Sequence, residues 1–196
     1  MTGRAREVAT LVVTFGLSFL VFAIGFGDWR FGLGFVLLIL VHELGHVAEA
    51  KRQGLPVSLP TFIPFIGAYV TIERAGLTPW RNALISLAGP LFGGAAAAVV
   101  WAIGSSQGST QLVVLANIAF LLNAFNMLPI GFLDGGQTVR AAREEWRMPR
   151  IQFEAGVPVA AFAPDRARAL TIVALYVGLA ALLVIGMLAT RPNGAL

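Results

Sequence analysis

Cysteine is absent from this 196-residue chain, and histidine occurs only at positions 42 and 46. The first absence excludes disulfides and any thiolate-held metal, and it leaves the redox compartment unread. The second confines all imidazole chemistry to one short stretch. Charge is scarce as well: Asp, Glu, Lys and Arg make up 12% of the residues, against about 25% in a soluble domain. With 57% hydrophobic residues, that scarcity argues against a soluble domain and for a chain whose solvent is lipid. The net charge of +4 does not indicate a nucleic-acid partner. The basic residues sit in loops beside apolar segments, where membrane topology puts them.

Residues 8–26 form an uncharged apolar run after Arg4 and Arg6. A basic start before an apolar stretch also fits a signal peptide, but the run is longer than a signal core and lacks a clear small-residue cleavage site, so it reads as a first spanning helix. Further runs cover residues 31–50, 81–103, 111–128 and 168–190. Residues 57–72 are apolar but carry Pro60 and Pro64. They are too short to span as a helix and read as strands or a re-entrant segment buried in protein or at the interface. Residues 147–167, with Pro149, Pro158 and Pro164, read as a linker. The expected fold is a membrane all-α bundle of about five to six transmembrane segments, with a short β or re-entrant segment around 57–72. Residues 1–196 read as one membrane-embedded domain, without internal repeats.

Five alternating spans with the N-terminus in the cytoplasm put twelve of the fourteen basic residues on the inner side, Arg74 among them, and only Arg30 and Arg191 outside. The positive-inside rule selects this orientation. It brings the ends of the second and fourth spans to the same, cytoplasmic side.

His42-Glu43-Leu44-Gly45-His46 matches H-E-x-x-H. On a helix, positions i and i+4 share a face about 6 Å apart along the axis. Two imidazoles so placed can hold one zinc ion, and the intervening glutamate can take a proton from water at the metal. Chance placement of two histidines and seven glutamates gives this pattern roughly once in 3,000 chains. Ionisable groups inside a spanning helix are costly and usually functional. Glu49, near Lys51 and Arg52 at the end of the run, reads instead as an interfacial residue paired with a base.

A catalytic zinc needs a third protein ligand and an open position. With histidine exhausted and cysteine absent, a carboxylate must supply it. The metzincin pattern fails, because Glu49 and Arg52 stand where it requires glycine and histidine. The soluble two-histidine, one-glutamate pattern fails too: Phe65 and Ile66 stand at the glutamate's spacing, and nearby Glu73 lies in a loop beside Arg74. Asp134 is the best candidate. Pro129 ends the helix before it, and Gly131, Gly135 and Gly136 permit close backbone approach. From spacing alone, coordination and simple capping of the next helix both stand.

Taken together, the H-E-x-x-H motif, Asn126-Met127-Leu128-Pro129 and Leu133-Asp134-Gly135 resemble the site-2 protease family of intramembrane zinc metalloproteases, which pairs H-E-x-x-H with an N-x-x-P…L-D-G motif. Ile85-Ser86-Leu87-Ala88-Gly89-Pro90 is similar to a small-residue segment of that family. The resemblance covers residues 35–140. It implies His42, His46 and Asp134 as ligands of one Zn2+, Glu43 as catalytic acid/base, and Asn126 as a candidate for positioning substrate or stabilising an oxyanion. Asn117 and Asn123 read as interhelical hydrogen-bonding residues. The chain departs from the family at Gly131 and Phe132, where prolines are frequent. No PDZ or CBS module is read in it.

The expected function is therefore hydrolysis of peptide bonds within or next to transmembrane segments of membrane-protein substrates, in a lipid bilayer. The alternatives are a metal carrier using the same histidines and an inactive scaffold. A carrier needs polar groups along a path across the bilayer, and a scaffold has little use for Glu43.

Overall fold

The computed structural model describes residues 3–73, 77–147, 150–154, 157–162 and 164–191. Arg74 and Pro149 lie outside them. Helix α1 (Gly3–Phe26) and helix α2 (Trp29–Arg52) are joined by a two-residue turn. Gly27 takes a φ of 68°, which glycine adopts without steric cost. Asp28 then caps α2, its carboxylate accepting from the backbone N–H groups of Arg30 and Phe31. The Gln111 side-chain amide donates to the same carboxylate at 2.7 Å. It lies in helix α4 (Thr110–Asn126), so the starts of two helices are tied at one end of the bundle.

Between α2 and helix α3 (Pro79–Ser106), strands β1 (Thr61–Ile63) and β2 (Gly67–Tyr69) form an antiparallel hairpin, extended by a bridge from Val57 to Ile72. Prolines 60 and 64 disfavour a helix here, and of the strand and re-entrant readings of residues 57–72 the strand reading holds. Thr78 caps α3 and Pro79 stands at its start, where a missing N–H costs nothing. Pro90 lies inside α3, which nevertheless continues to Ser106. The proline removes one intrahelical hydrogen bond, to the Ser86 carbonyl.

Helix α5 (Asp134–Arg147) is amphipathic and polar, and α6 (Arg166–Ala189) is the last described helix. Strands β3 (Arg150–Glu154) and β4 (Val157–Phe162) pair antiparallel between these two helices. This corrects the linker reading of residues 147–167. Pro158 falls next to a register irregularity at Gln152/Phe153, and a proline without an N–H is tolerated where the ladder is already broken.

Among the described residues four helices, α1, α2, α3 and α6, are long and apolar enough to cross a membrane, and α4 is a shorter apolar helix of 17 residues. At about 25 Å, α4 is at the short end of what can span. The protein is a multi-pass, membrane all-α protein. Its core is formed by Phe35 and Leu38 of α2, Leu87 and Ala97 of α3, Leu115, Ala119 and Phe120 of α4, and Leu183 of α6. A second cluster, Ala83, Ala141, Ala142 and Ile172, seats α5 between α3 and α6. Leucines, valines and isoleucines on the outer faces of α1 and α6 are exposed, as lipid-facing surfaces must be.

Candidate metal centre

His42 and His46 stand one turn apart on α2, both buried. Their Nε2 atoms are 3.2 Å apart. The Asp134 carboxylate approaches both: Oδ2 is 3.3 Å from His42 Nε2 and Oδ1 is 3.4 Å from His46 Nε2. Asp134 is the first residue of α5, yet its side chain faces the imidazoles rather than capping its own helix. Glycines make this approach feasible. A Cβ at Gly135 would lie 2.1 Å from the Met127 carbonyl oxygen, and one at Gly136 would lie 1.9 Å from that of Ile130. The start of α5 therefore tucks against the turn that leaves α4. Tyr176 of α6 donates to the same Met127 carbonyl at 2.6 Å. At the far end of α5, buried Glu145 accepts from the Trp80 backbone N–H at 3.0 Å, fastening α5 to the first turn of α3.

The tautomers follow from the partners of the two Nδ1 atoms. His46 Nδ1 lies 2.8 Å from the Ile85 carbonyl oxygen, which can only accept, so Nδ1 carries the proton. His42 Nδ1 lies 2.9 Å from Asn123 Oδ1, and it too donates. In neutral imidazoles both Nε2 atoms then present bare lone pairs.

Two lone pairs and a carboxylate facing one another repel unless a cation sits among them. A tetrahedral ion with bonds of about 2.0–2.1 Å has ligands about 3.4 Å apart. The three edges here, 3.2, 3.3 and 3.4 Å, fit that triangle, and these residues could hold a zinc ion. Space is kept by Gly89 of α3, where a Cβ would stand 2.2 Å from His46 Nε2 and 2.9 Å from His42 Nε2. The small-residue segment of α3 thus has a local purpose.

Glu43 is buried beside the imidazoles and lines a cavity of about 520 Å³ that also exposes His42, His46, Asp134 and Asn126. No described residue hydrogen-bonds the Glu43 carboxylate. The β1–β2 hairpin supplies one wall: Gly67, Ala68 and Tyr69 of β2 and the turn residues Phe65 and Ile66 all line the cavity. Asn126 lines it too, without a side-chain hydrogen bond to any described residue.

The other expectations divide. Asn117 bridges helices, donating to the Met187 carbonyl at 2.7 Å and to the Thr190 hydroxyl at 2.9 Å. Glu49 pairs with Arg52 at 2.7 Å, as an interfacial residue would. Asn123 does more than join helices, since it reaches His42. Sequence reasoning also missed Ile85, whose contribution is a main-chain carbonyl that no residue pattern reveals.

The chain matches Peptidase family M50 over residues 30–111 and 105–163, which takes in α2 through the β3–β4 hairpin. Among curated relatives, it is 31% identical over 159 residues to "Putative zinc metalloprotease Rip3" of Mycobacterium tuberculosis, covering 75% of this chain and 39% of that protein. It is 32% identical over 137 residues to "Zinc metalloprotease MJ0392" of Methanocaldococcus jannaschii, covering 67% of this chain and 39% of that one. With "Stage IV sporulation protein FB" of Bacillus subtilis it shares 30% identity over 116 residues, covering 57% and 39%. No solved structure matches. The chain belongs to peptidase family M50, the site-2 protease family. It spans about two fifths of the length of these relatives.

Proposed function

We propose that the chain is a zinc metalloendopeptidase that hydrolyses peptide bonds within or next to transmembrane segments of membrane-protein substrates. One observation carries this reading: His42, His46 and Asp134 converge beside buried Glu43 on one cavity inside an apolar bundle. Family membership and the relatives' names support it. In this reading the two histidines and Asp134 hold a single Zn2+, which supplies Lewis acidity to the scissile carbonyl and to the attacking water. Glu43 takes that water's proton and passes it to the leaving amine nitrogen. Asn126, free to donate from the cavity wall, steadies the developing oxyanion or the substrate backbone.

A helical substrate hides its carbonyls in hydrogen bonds and has to unwind before cleavage. Strand β2 pairs with β1 along one edge, and its residues line the cavity. The other edge offers main-chain groups to an unwound segment. The reading also takes residues 1–196 as one domain, the N-terminus and the site towards the cytoplasm, and no nucleic-acid partner. A metal carrier is less favoured, because the ionisable ligands gather at one depth.

The test is direct. The protein is purified in detergent, its zinc content is measured, and cleavage of synthetic transmembrane substrates is compared with that by Glu43→Gln. Zinc near one equivalent and a loss of cleavage of about 10²–10⁴-fold in the variant are expected. Equal cleavage by the variant sinks the assignment. Single cysteines introduced into the cysteine-free chain, labelled from either side, would read the orientation.

A further inference from the structure

The geometry points to Asn123 as a positioning residue for the metal centre: its side-chain amide fixes the tautomer and ring orientation of His42, and Gly93 exists to let it do so. This rests on the metal reading above.

Three helices meet at this amide. Asn123 is buried on α4, and its Oδ1 accepts from His42 Nδ1 on α2 at 2.9 Å. Its Nδ2 donates to the Ala119 carbonyl, one turn back on α4, at 2.8 Å. The second bond settles which way the amide points. Turned over, it would set its oxygen against the Ala119 carbonyl oxygen, and two acceptors would face each other in a buried place. So the oxygen faces His42, Nδ1 carries the proton, and Nε2 keeps its lone pair for the cavity. The third helix closes the pocket from behind. A Cβ at Gly93 of α3 would lie 2.2 Å from Asn123 Oδ1 and 2.6 Å from Nδ2.

The two histidines are oriented by different means. His46 leans on the Ile85 carbonyl, which survives any side-chain substitution at position 85. His42 leans on a side chain, so its orientation depends on the residue at 123 and the space at 93. Asn123 and Asn126 are three apart on one helix, yet they divide the work. Both line the cavity, but Asn123 is bonded to His42 Nδ1, whereas the Asn126 side chain makes no hydrogen bond to a described residue. Groups that orient a metal-binding histidine typically account for about 10- to 100-fold in metal affinity.

The experiment compares Asn123→Ala and Asn123→Asp with the wild-type chain in detergent. Zinc retention is measured by competition with a chelator, and the visible spectrum of the cobalt-substituted protein reports ligand geometry. Circular dichroism and size exclusion check folding. Zinc affinity is expected to fall about 10- to 100-fold in Asn123→Ala, with an altered cobalt spectrum. Asn123→Asp keeps an acceptor oxygen towards Nδ1 but sets its second oxygen against the Ala119 carbonyl, so its zinc affinity should fall less than that of Asn123→Ala and its cobalt spectrum should stay nearer wild type. Gly93→Ala should weaken zinc as well. The double variant Gly93→Ala/Asn123→Ala should be no weaker than Asn123→Ala alone, because the new methyl then fills emptied space; this non-additivity is the sign of contact. Should Asn123→Ala fail to accumulate, Asn123→Thr, which cannot reach the ring, replaces it. A folded Asn123→Ala or Asn123→Thr protein with wild-type zinc affinity and cobalt spectrum overturns the inference and leaves the proposed function standing. A folded wild-type chain that takes up no zinc overturns both.

Discussion

The interior and the rim of this bundle are built by different rules. Where α2, α3, α4 and α5 meet, helices approach through glycines, and a few polar groups are each held by named partners: His42 by Asn123, His46 by the Ile85 carbonyl, Glu145 by the Trp80 N–H. On the outer sides of α1 and α6, large apolar residues face outward without partners. More than half of the apolar stretch of α3 is buried, but only 6% of that of α1 and 11% of that of α6. The interior is specified by distances of a few tenths of an ångström, whereas the rim only has to be apolar. In lipid this is expected, because hydrophobicity does not distinguish one helix contact from another and close packing and hydrogen bonds must do so.

Substitutions can break or sharpen that contrast. The largest effect is expected at Gly89. Alanine there favours the helix by about 1 kcal/mol, but its methyl enters the space between the imidazoles, so zinc binding should fall at least tenfold while circular dichroism still reports a folded bundle. Glu145→Ala comes next: it removes the acceptor from the first turn of α3 and should lower stability by about 1–3 kcal/mol, read as an earlier thermal unfolding in detergent. Tyr176→Phe should cost about 1 kcal/mol in the same assay, since it deletes only the donor to the Met127 carbonyl. At the rim, Ile24→Ala should change unfolding by no more than about 0.5 kcal/mol and leave zinc content unaltered. An Ile24→Ala effect as large as that of Glu145→Ala would erase the distinction.

Much of the site was legible because it is local. The spacing of His42, Glu43 and His46 already implies a shared helical face, and the apolar runs already imply spans. The proline-bearing segment 57–72 was recognisable as non-helical, since proline lacks a donor. By contrast, Pro158 made β4 look like a linker, because its tolerance depends on a register break that only strand pairing reveals. Asn123 and Asn126 look alike in sequence, and the family motif drew attention to the second.

By itself, then, the sequence determined a membrane chain with a two-histidine motif on its second span, since hydropathy and helical spacing act over a few residues. Only the tertiary structure decided the rest. It turned Asp134 from a helix cap towards the imidazoles, gave Asn123 rather than Asn126 to His42, made a backbone carbonyl the partner of His46, and assigned Gly89 and Gly93 their purpose. Each of these depends on groups far apart in the chain, 81 residues in the case of His42 and Asn123. Which of several similar polar residues meets a given atom is fixed by how closely the helices pack, not by any pattern along one of them.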